Sequence, residues 1–243
     1  AGAVATFLGT LKGPPLSSPV GDARPLDNSP KRLREARRLM GKKMLGCVSC
    51  HSWGSSRPEG DPNRWGPDLS KVNERLRQSG AVGEDVLVRN PDARHHIGVG
   101  LTEAITVRIE GSAGYFCAGL SDQAHFEVSH NVGWGVGDNM YTGSVIVGGN
   151  AGAIPGVAIR GAEIVIHGNM GSRAGQVIKA GTLCCVGNAN FMAGYMMYGG
   201  RIIILGDSGV RVGEDMTGGE IFIAGKVQTL GSDATLTDIT ADE

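Results

Sequence analysis

Aromatic residues are scarce in this chain: Phe, Trp and Tyr make up 5% of 243 residues. No basic run is interleaved with aromatics, which argues against a nucleic-acid partner. No apolar run approaches the roughly 18 residues of a membrane helix, so no membrane span is expected. The apolar stretch Ala3–Leu8 is too short for a secretory signal. Cysteines number five, an odd count that argues against a disulfide framework.

Glycine, by contrast, is abundant. There are 40 in 243 residues, where average usage of about 7% would give about 17. Apolar residues still make up 41%, so a core can form, and the glycines read as tight turns repeated many times rather than as disorder. The net charge of −1 hides an asymmetry: residues 1–80 hold 14 Lys and Arg against 7 Asp and Glu, and residues 81–243 hold 9 against 17. Such a split is expected of two modules.

The glycines are periodic. Gly149, Gly168, Gly187, Gly206 and Gly225 lie 19 residues apart, with His130 and Gly111 in phase. Further columns are Gly114, Gly133, Gly152, Gly171 and Gly209; Gly137, Gly156, Gly175, Gly194 and Gly213; and Gly143, Gly181, Gly200 and Gly219 with Ala162 in register. Each column marks a place where every repeat turns, or where two backbones approach closely.

Apolar residues keep the same period. One column reads Val107, Phe126, Val145, Ile164, Leu183, Ile202, Ile221, and a second, two residues on, reads Ile109, Val128, Val147, Ile166, Cys185, Ile204, Ile223. A spacing of two is the strand period, so both face one side. Met140, Ile159, Ile178, Met197 and Met216 form a third column, and Ala113, Val132, Ala151, Met170, Ala189, Ser208 and Val227 a fourth. Short strands joined by glycine turns keep like residues in phase only if the chain coils, each coil pairing in parallel with the next at about 4.8 Å. Val86 and Val88 align one period before Ile105 and Val107, which places the first coil there. The expected fold is mainly β, a parallel β-helix of about seven 19-residue coils.

One outward position reads Arg108, Glu127, Ile146, Val165, Cys184, Ile203, Phe222. Its last five members are apolar, and the next outward row, His167, Val186, Leu205, Ala224, supports them. A continuous apolar stripe on a water-facing sheet is expected to meet a partner subunit, or this chain's own tail or N-terminal module. Ile146, Val165, Cys184, Ile203 and Phe222 are the candidate interface.

Asn90-Pro91 through Ile97-Gly98-Val99-Gly100-Leu101, Gly111-Ser-Ala-Gly114-Tyr115 and Asn131-Val132-Gly133-Trp134-Gly135 resemble the GXGXG domain at the C-terminus of the glutamate synthase large subunit. More particularly they resemble its stand-alone form, the β-helix subunit of N-methylglutamate synthase-type complexes, with the C subunit of formylmethanofuran dehydrogenase a more distant relative. The resemblance covers about residues 84–243. It implies a right-handed β-helix without catalytic residues of its own. That subunit would sit beside a glutamine amidotransferase and an FMN-dependent, iron–sulfur-containing synthase subunit, in the cytoplasm. FMN and the iron–sulfur centre are expected in those partners and no cofactor in the β-helix. Self-association through the apolar stripe is the other reading of the partner.

The remaining chemistry-bearing residues of this region are read as structural. Cys117, Cys184 and Cys185 lack metal-ligand spacing, and Cys185 falls in a core column. The adjacent His95 and His96 are expected to point apart, and His125 and His167 to be surface or satisfied groups. The glycine turns carry no P-loop lysine and precede no helix pattern.

The N-terminal third reads differently. Residues 1–29 are rich in Pro, Gly and Ser and read as a poorly ordered arm. Residues 30–82 read as a small helical module. Ser29-Pro30 opens a helix on which Leu33, Ala36 and Met40 share a face. Then follow Cys47-Val-Ser-Cys50-His51, a haem-attachment pattern, and Trp65-Gly66-Pro67-Asp68-Leu69. Together these resemble a truncated class I cytochrome c. The resemblance implies a c-type haem held by Cys47 and Cys50, with His51 on the iron and Pro67 orienting it. This sequence departs from that family in having no Met between Met44 and Met140. The distal ligand would then be absent, or supplied by His95, His96 or another chain. The alternative is a pair of ordinary loop thiols; zinc lacks a second ligand pair. A covalent haem implies an extracytoplasmic location, at odds with the cytoplasmic expectation for the β-helix, and a fused chain would reconcile the two.

Overall fold

The computed structural model describes residues 69–81, 83 and 85–237. Among the described residues helix α1 (Leu69–Ala81) comes first, and eight strands follow: β1 (Val86–Arg89), β2 (Thr106–Glu110), β3 (His125–Val128), β4 (Ser144–Val147), β5 (Arg160–Ile166), β6 (Ala180–Cys185), β7 (Arg201–Ile204) and β8 (Glu220–Ile223). They form one sheet in the order of the sequence, and each pairs in parallel with the next. Parallel neighbours require a crossover between every pair, and here the rest of each coil provides it. The result is a β-solenoid of about seven turns.

The columns read from the sequence are the observed registers. Val107, Phe126, Val145, Ile164, Leu183, Ile202 and Ile221 pair in succession. All are fully buried until the last coil, where Ile221 is half-buried. The column from Ala113 to Val227 is a chain of single parallel bridges. A further column escaped the sequence reading: Cys117, Val136, Ala174, Ala193 and Val212 are all buried.

The first coil differs from expectation. Val86 pairs with Val107 and Val88 with Ile109, so this coil spans 21 residues rather than 19. Counting back by one period placed Val86 beside Ile105. The two extra residues shift it along by one side-chain pair, which preserves the inward face because the strand period is two.

At the start of the solenoid α1 covers the core. Leu76 is 1% exposed. The Asn73 side chain accepts the Gly98 N–H at 2.8 Å and donates to the His96 carbonyl at 2.9 Å, while Arg77 donates to the Val99 carbonyl. These bonds satisfy backbone groups that have no preceding coil to pair with.

A recurring corner explains one glycine column. In every coil from Gly135 onward three alternate residues have positive φ, for example Arg173 (55°), Gly175 (66°) and Val177 (50°). The middle one is glycine because a Cβ on Gly175 would lie 2.5 Å from Cδ1 of Ile202. The columns through Gly149 and Gly114 do not adopt positive φ beyond Gly111. There the backbone is approached too closely for a side chain: a Cβ on Gly168 would lie 2.5 Å from Oδ1 of Asn150. Ala162 replaces glycine in the column where Gly143, Gly181 and Gly219 have φ of 92–93°. The register of β5 against β6 shifts between Arg160 and Glu163 at that point, and Ala162 is not among the residues with positive φ.

Candidate interaction surface

The apolar stripe lies along the middle of the sheet, in the register Ile146, Val165, Cys184, Ile203, Phe222. Its upstream end is charged: Arg108 and Glu127 pair at 3.0 Å. Ile146, next along, is 39% exposed. Val165, Ile203 and Phe222 are half-buried. Cys184 is 3% exposed, so it offers almost no surface to a partner. It is a short side chain with branched Val165 and Ile203 one coil away on either side. The stripe is therefore carried by the four larger residues.

Of the adjoining row, His167, Val186 and Leu205 are half-buried and Ala224 is exposed. The Nδ1 atom of His167 is buried without a hydrogen-bond partner among the described residues. His167 is only half-buried, and the residues in register one coil away on either side, Gly148 and Val186, offer Nδ1 no polar side chain. His125 does bond, Nδ1 to the Ser144 hydroxyl at 2.9 Å.

Aromatic residues line a corner of the first coils. His95 stacks on Tyr115 with ring centroids 4.3 Å apart, and Tyr115 on Trp134 at 5.5 Å. His96 stacks on Phe116 at 5.7 Å. The two histidine rings are nearly perpendicular, with centroids 6.2 Å apart, and Nδ1 of His95 accepts the Tyr115 N–H. They point apart as adjacent histidines are expected to do. The spacing of Tyr115 and Trp134 by 19 residues was the available signal for this ladder.

The cysteines of the solenoid are poor nucleophiles. Burial pushes the thiols of Cys117 and Cys185 up to about 12, and it raises Cys184 as well. A thiol needs its thiolate form to react or to bind metal. The Cys185 thiol donates to the Gly168 carbonyl at 3.2 Å. Among the described residues no group of three or more His, Cys, Asp or Glu is arranged to hold a metal ion, and no helix is long and apolar enough to cross a membrane. Cys47, Cys50 and His51 lie outside the described residues.

No family model matches the chain. Over 81 residues, 32% of its length, it is 35% identical to Protein GlxC of Rhizobium meliloti (strain 1021). The matched stretch is 36% of that protein, so the chain spans about a third of the length of this curated relative.

Proposed function

We propose that this chain is a non-catalytic scaffold subunit of a glutamate synthase or N-methylglutamate synthase-type complex, working in the cytoplasm in glutamine-dependent glutamate metabolism. The observation that carries the reading is the repeated corner. The Gly133-Trp134-Gly135-Val136-Gly137 segment, with Gly135 and Gly137 at φ of 70° and 68°, is the GXGXG pattern. The triple glycine occurs once in the solenoid, and the positive-φ corner it builds recurs in each later coil, as at Ile154, Gly156 and Ala158. The partial likeness to Protein GlxC is a second, weaker support. The apolar stripe fits a subunit that buries one face against a partner. The cysteines described here, held protonated by burial, fit a scaffold rather than a catalyst.

In this reading FMN and an iron–sulfur centre belong to a synthase subunit, and glutamine hydrolysis to an amidotransferase. The test is co-expression of this chain with candidate flavoprotein and amidotransferase subunits, followed by gel filtration. A stable complex with flavin absorbance is the expected result. Elution of the chain alone, with the flavoprotein fully active without it, would overturn the reading.

A second proposal rests on Cys47-Val-Ser-Cys50-His51: electron transfer through a c-type haem on the N-terminal module. Cys47 and Cys50 would form the thioether links and His51 would bind the iron. A Soret band that survives acid–acetone extraction would support it, and a colourless chain after expression with a haem-maturation system would end it.

A further inference from the structure

Four arginines of the solenoid are matched by carboxylates: Arg89 by Glu110, Arg108 by Glu127, Arg201 by Glu220 and Arg211 by Glu214. Arg160 and Lys179 have no such match among the described residues, and both are exposed. They stand in one outward row with two exposed tyrosines. Four backbone bonds fix that row, each one coil above the last. Tyr141 N–H donates to the Ser121 carbonyl, Arg160 to Met140, Lys179 to Ile159 and Tyr198 to Ile178, all at 2.9–3.0 Å. Tyr141 is 50% and Tyr198 55% exposed. The Arg160 guanidinium lies over the Tyr141 ring, 5.1 Å from its centre.

Two features make this row unlike an ordinary wet edge. Arg160 pairs in register with Ala180, which puts Lys179 one residue away on the adjacent coil, and two like charges so placed repel with no described ion pair to either. Exposed tyrosines bracket the pair, and Tyr with Arg is the composition enriched in protein interfaces. Beside the row stand Gly161, Ala180 and Gly199, which leave low ground for an approaching backbone.

We propose that the Tyr141–Arg160–Lys179–Tyr198 row docks an acidic, extended segment of a partner protein running along the solenoid axis. The inference rests on the reading of this chain as a subunit and names one chemistry of its partner. The four positions span about 14 Å by the coil spacing. In an extended segment, side chains on one face recur about every 6.7 Å, so carboxylates two residues apart reach both Arg160 and Lys179. Charge-assisted hydrogen bonds form there, and flanking apolar side chains lie on the tyrosines. Residues 1–80 hold 14 Lys and Arg against 7 Asp and Glu, the same sign as the row, so the complementary charge belongs to another protein.

The test uses the full chain and fluorescein-labelled octaglutamate at low ionic strength. Wild type is expected to bind it, more weakly as salt rises. Arg160→Glu with Lys179→Glu should lose at least ten-fold in affinity with an unchanged melting curve. Lys226→Glu, at an exposed lysine elsewhere, should lose less than two-fold. Equal binding by wild type and the double variant, or no binding by wild type, would overturn the proposal. So would displacement of the peptide by equimolar glutarate, which would make the row a small-anion site. Co-expression with the flavoprotein separates this proposal from the one beneath it. Flavin retained by wild type and lost from the double variant supports the row. Flavin retained equally by both overturns the row and leaves the subunit reading standing. No flavin with wild type overturns the subunit reading, and the peptide experiment still decides the row.

Discussion

Oδ1 of Asn150 accepts the backbone N–H of Asn169, one coil later, at 2.8 Å. The same rung joins Asn131 to Asn150, Asn169 to Asn188, Asn188 to Asp207 and Asp207 to Lys226. Each side chain satisfies a backbone donor that the sheet does not reach, and its oxygen fills the space that a Cβ on the glycine column would need.

Replacing Asn150 by Ala leaves the Asn169 N–H without its acceptor, in a half-buried place. A loss of about 1–3 kcal/mol is expected in urea unfolding. Asn150→Asp keeps the acceptor oxygen, as Asp207 does naturally, and should recover most of that loss. Equal destabilisation by both variants would mean that the rung contributes nothing beyond packing.

Val177 has a φ of 50°, a conformation that β-branched residues tolerate poorly. Asn139 occupies the equivalent position two corners earlier in the same ladder of turns, at 54°. Val177→Asn should therefore stabilise the chain by about 1 kcal/mol. A lower unfolding midpoint for the variant would show that the packing of the valine outweighs its backbone strain.

Ile164 is fully buried between Val145 and Leu183. Ile164→Asp puts an unpaired carboxylate in that column, and a cost of about 3–5 kcal/mol is expected. Because each coil packs on its neighbours, the loss should spread along the solenoid, and hydrogen exchange should quicken in β4 and β6 before α1. Uniform exchange across the chain would argue for global unfolding instead.

The Arg211 guanidinium beside Glu214 holds that carboxyl below its ordinary value of 4.5, and the Ser232 N–H donating to it at 3.3 Å works in the same direction. A depressed carboxyl contributes stability that is present above its unfolded pKa and lost as pH falls through its folded pKa, so the window lies below about pH 4.5. Arg211→Gln should move the Glu214 titration back up, read from its side-chain carboxyl resonance. It should also bring forward the acid loosening of residues 228–232. An unmoved titration would show that the ion pair does not hold in solution.

How much of this was legible depends on which residues carried the period. Side chains that fill the core must repeat if coils are to stack, so Val145, Ile164 and Leu183 exposed the register directly. Asn131, Asn150, Asn169 and Asn188 repeat as strictly, yet a search for apolar and glycine columns passes over them. Polar residues at turns usually face water, and only the coil-to-coil geometry shows that these bond inward to backbone. The 21-residue first coil was illegible for a different reason: a parity-preserving insertion leaves the inward pattern of Val86 and Val88 intact. The candidate interface was legible as a row, but not in its exposure. The burial of Cys184 depends on the size of its cross-strand neighbours, which a single column does not report. The haem motif and the helix expected to precede it lie outside the described residues.

The apolar stripe gives the last prediction. Ile203 and Phe222 are adjacent in the register of β7 and β8 and only half-buried, as Val165 is, with Ile146 exposed beyond them. Covering a side chain of this kind completely contributes at most about 1.5–3 kcal/mol, and half of that has already been gained within the chain. Four such residues in a line contribute about 3–6 kcal/mol, comparable to the low end of the roughly 4–15 kcal/mol lost in translation and rotation, so the stripe favours association together with further contacts around it. Ile203→Lys with Phe222→Lys should leave the solenoid folded, because both side chains point away from the core and lysine stems can lie along the sheet. The same change puts two charges into the contact, and desolvating them without partners is costly. The expected result is a melting curve close to wild type and loss of the flavoprotein complex on gel filtration. Assembly by the doubly charged variant at wild-type concentration would exclude the stripe as the interface and direct attention to the row of Tyr141 and Arg160 instead.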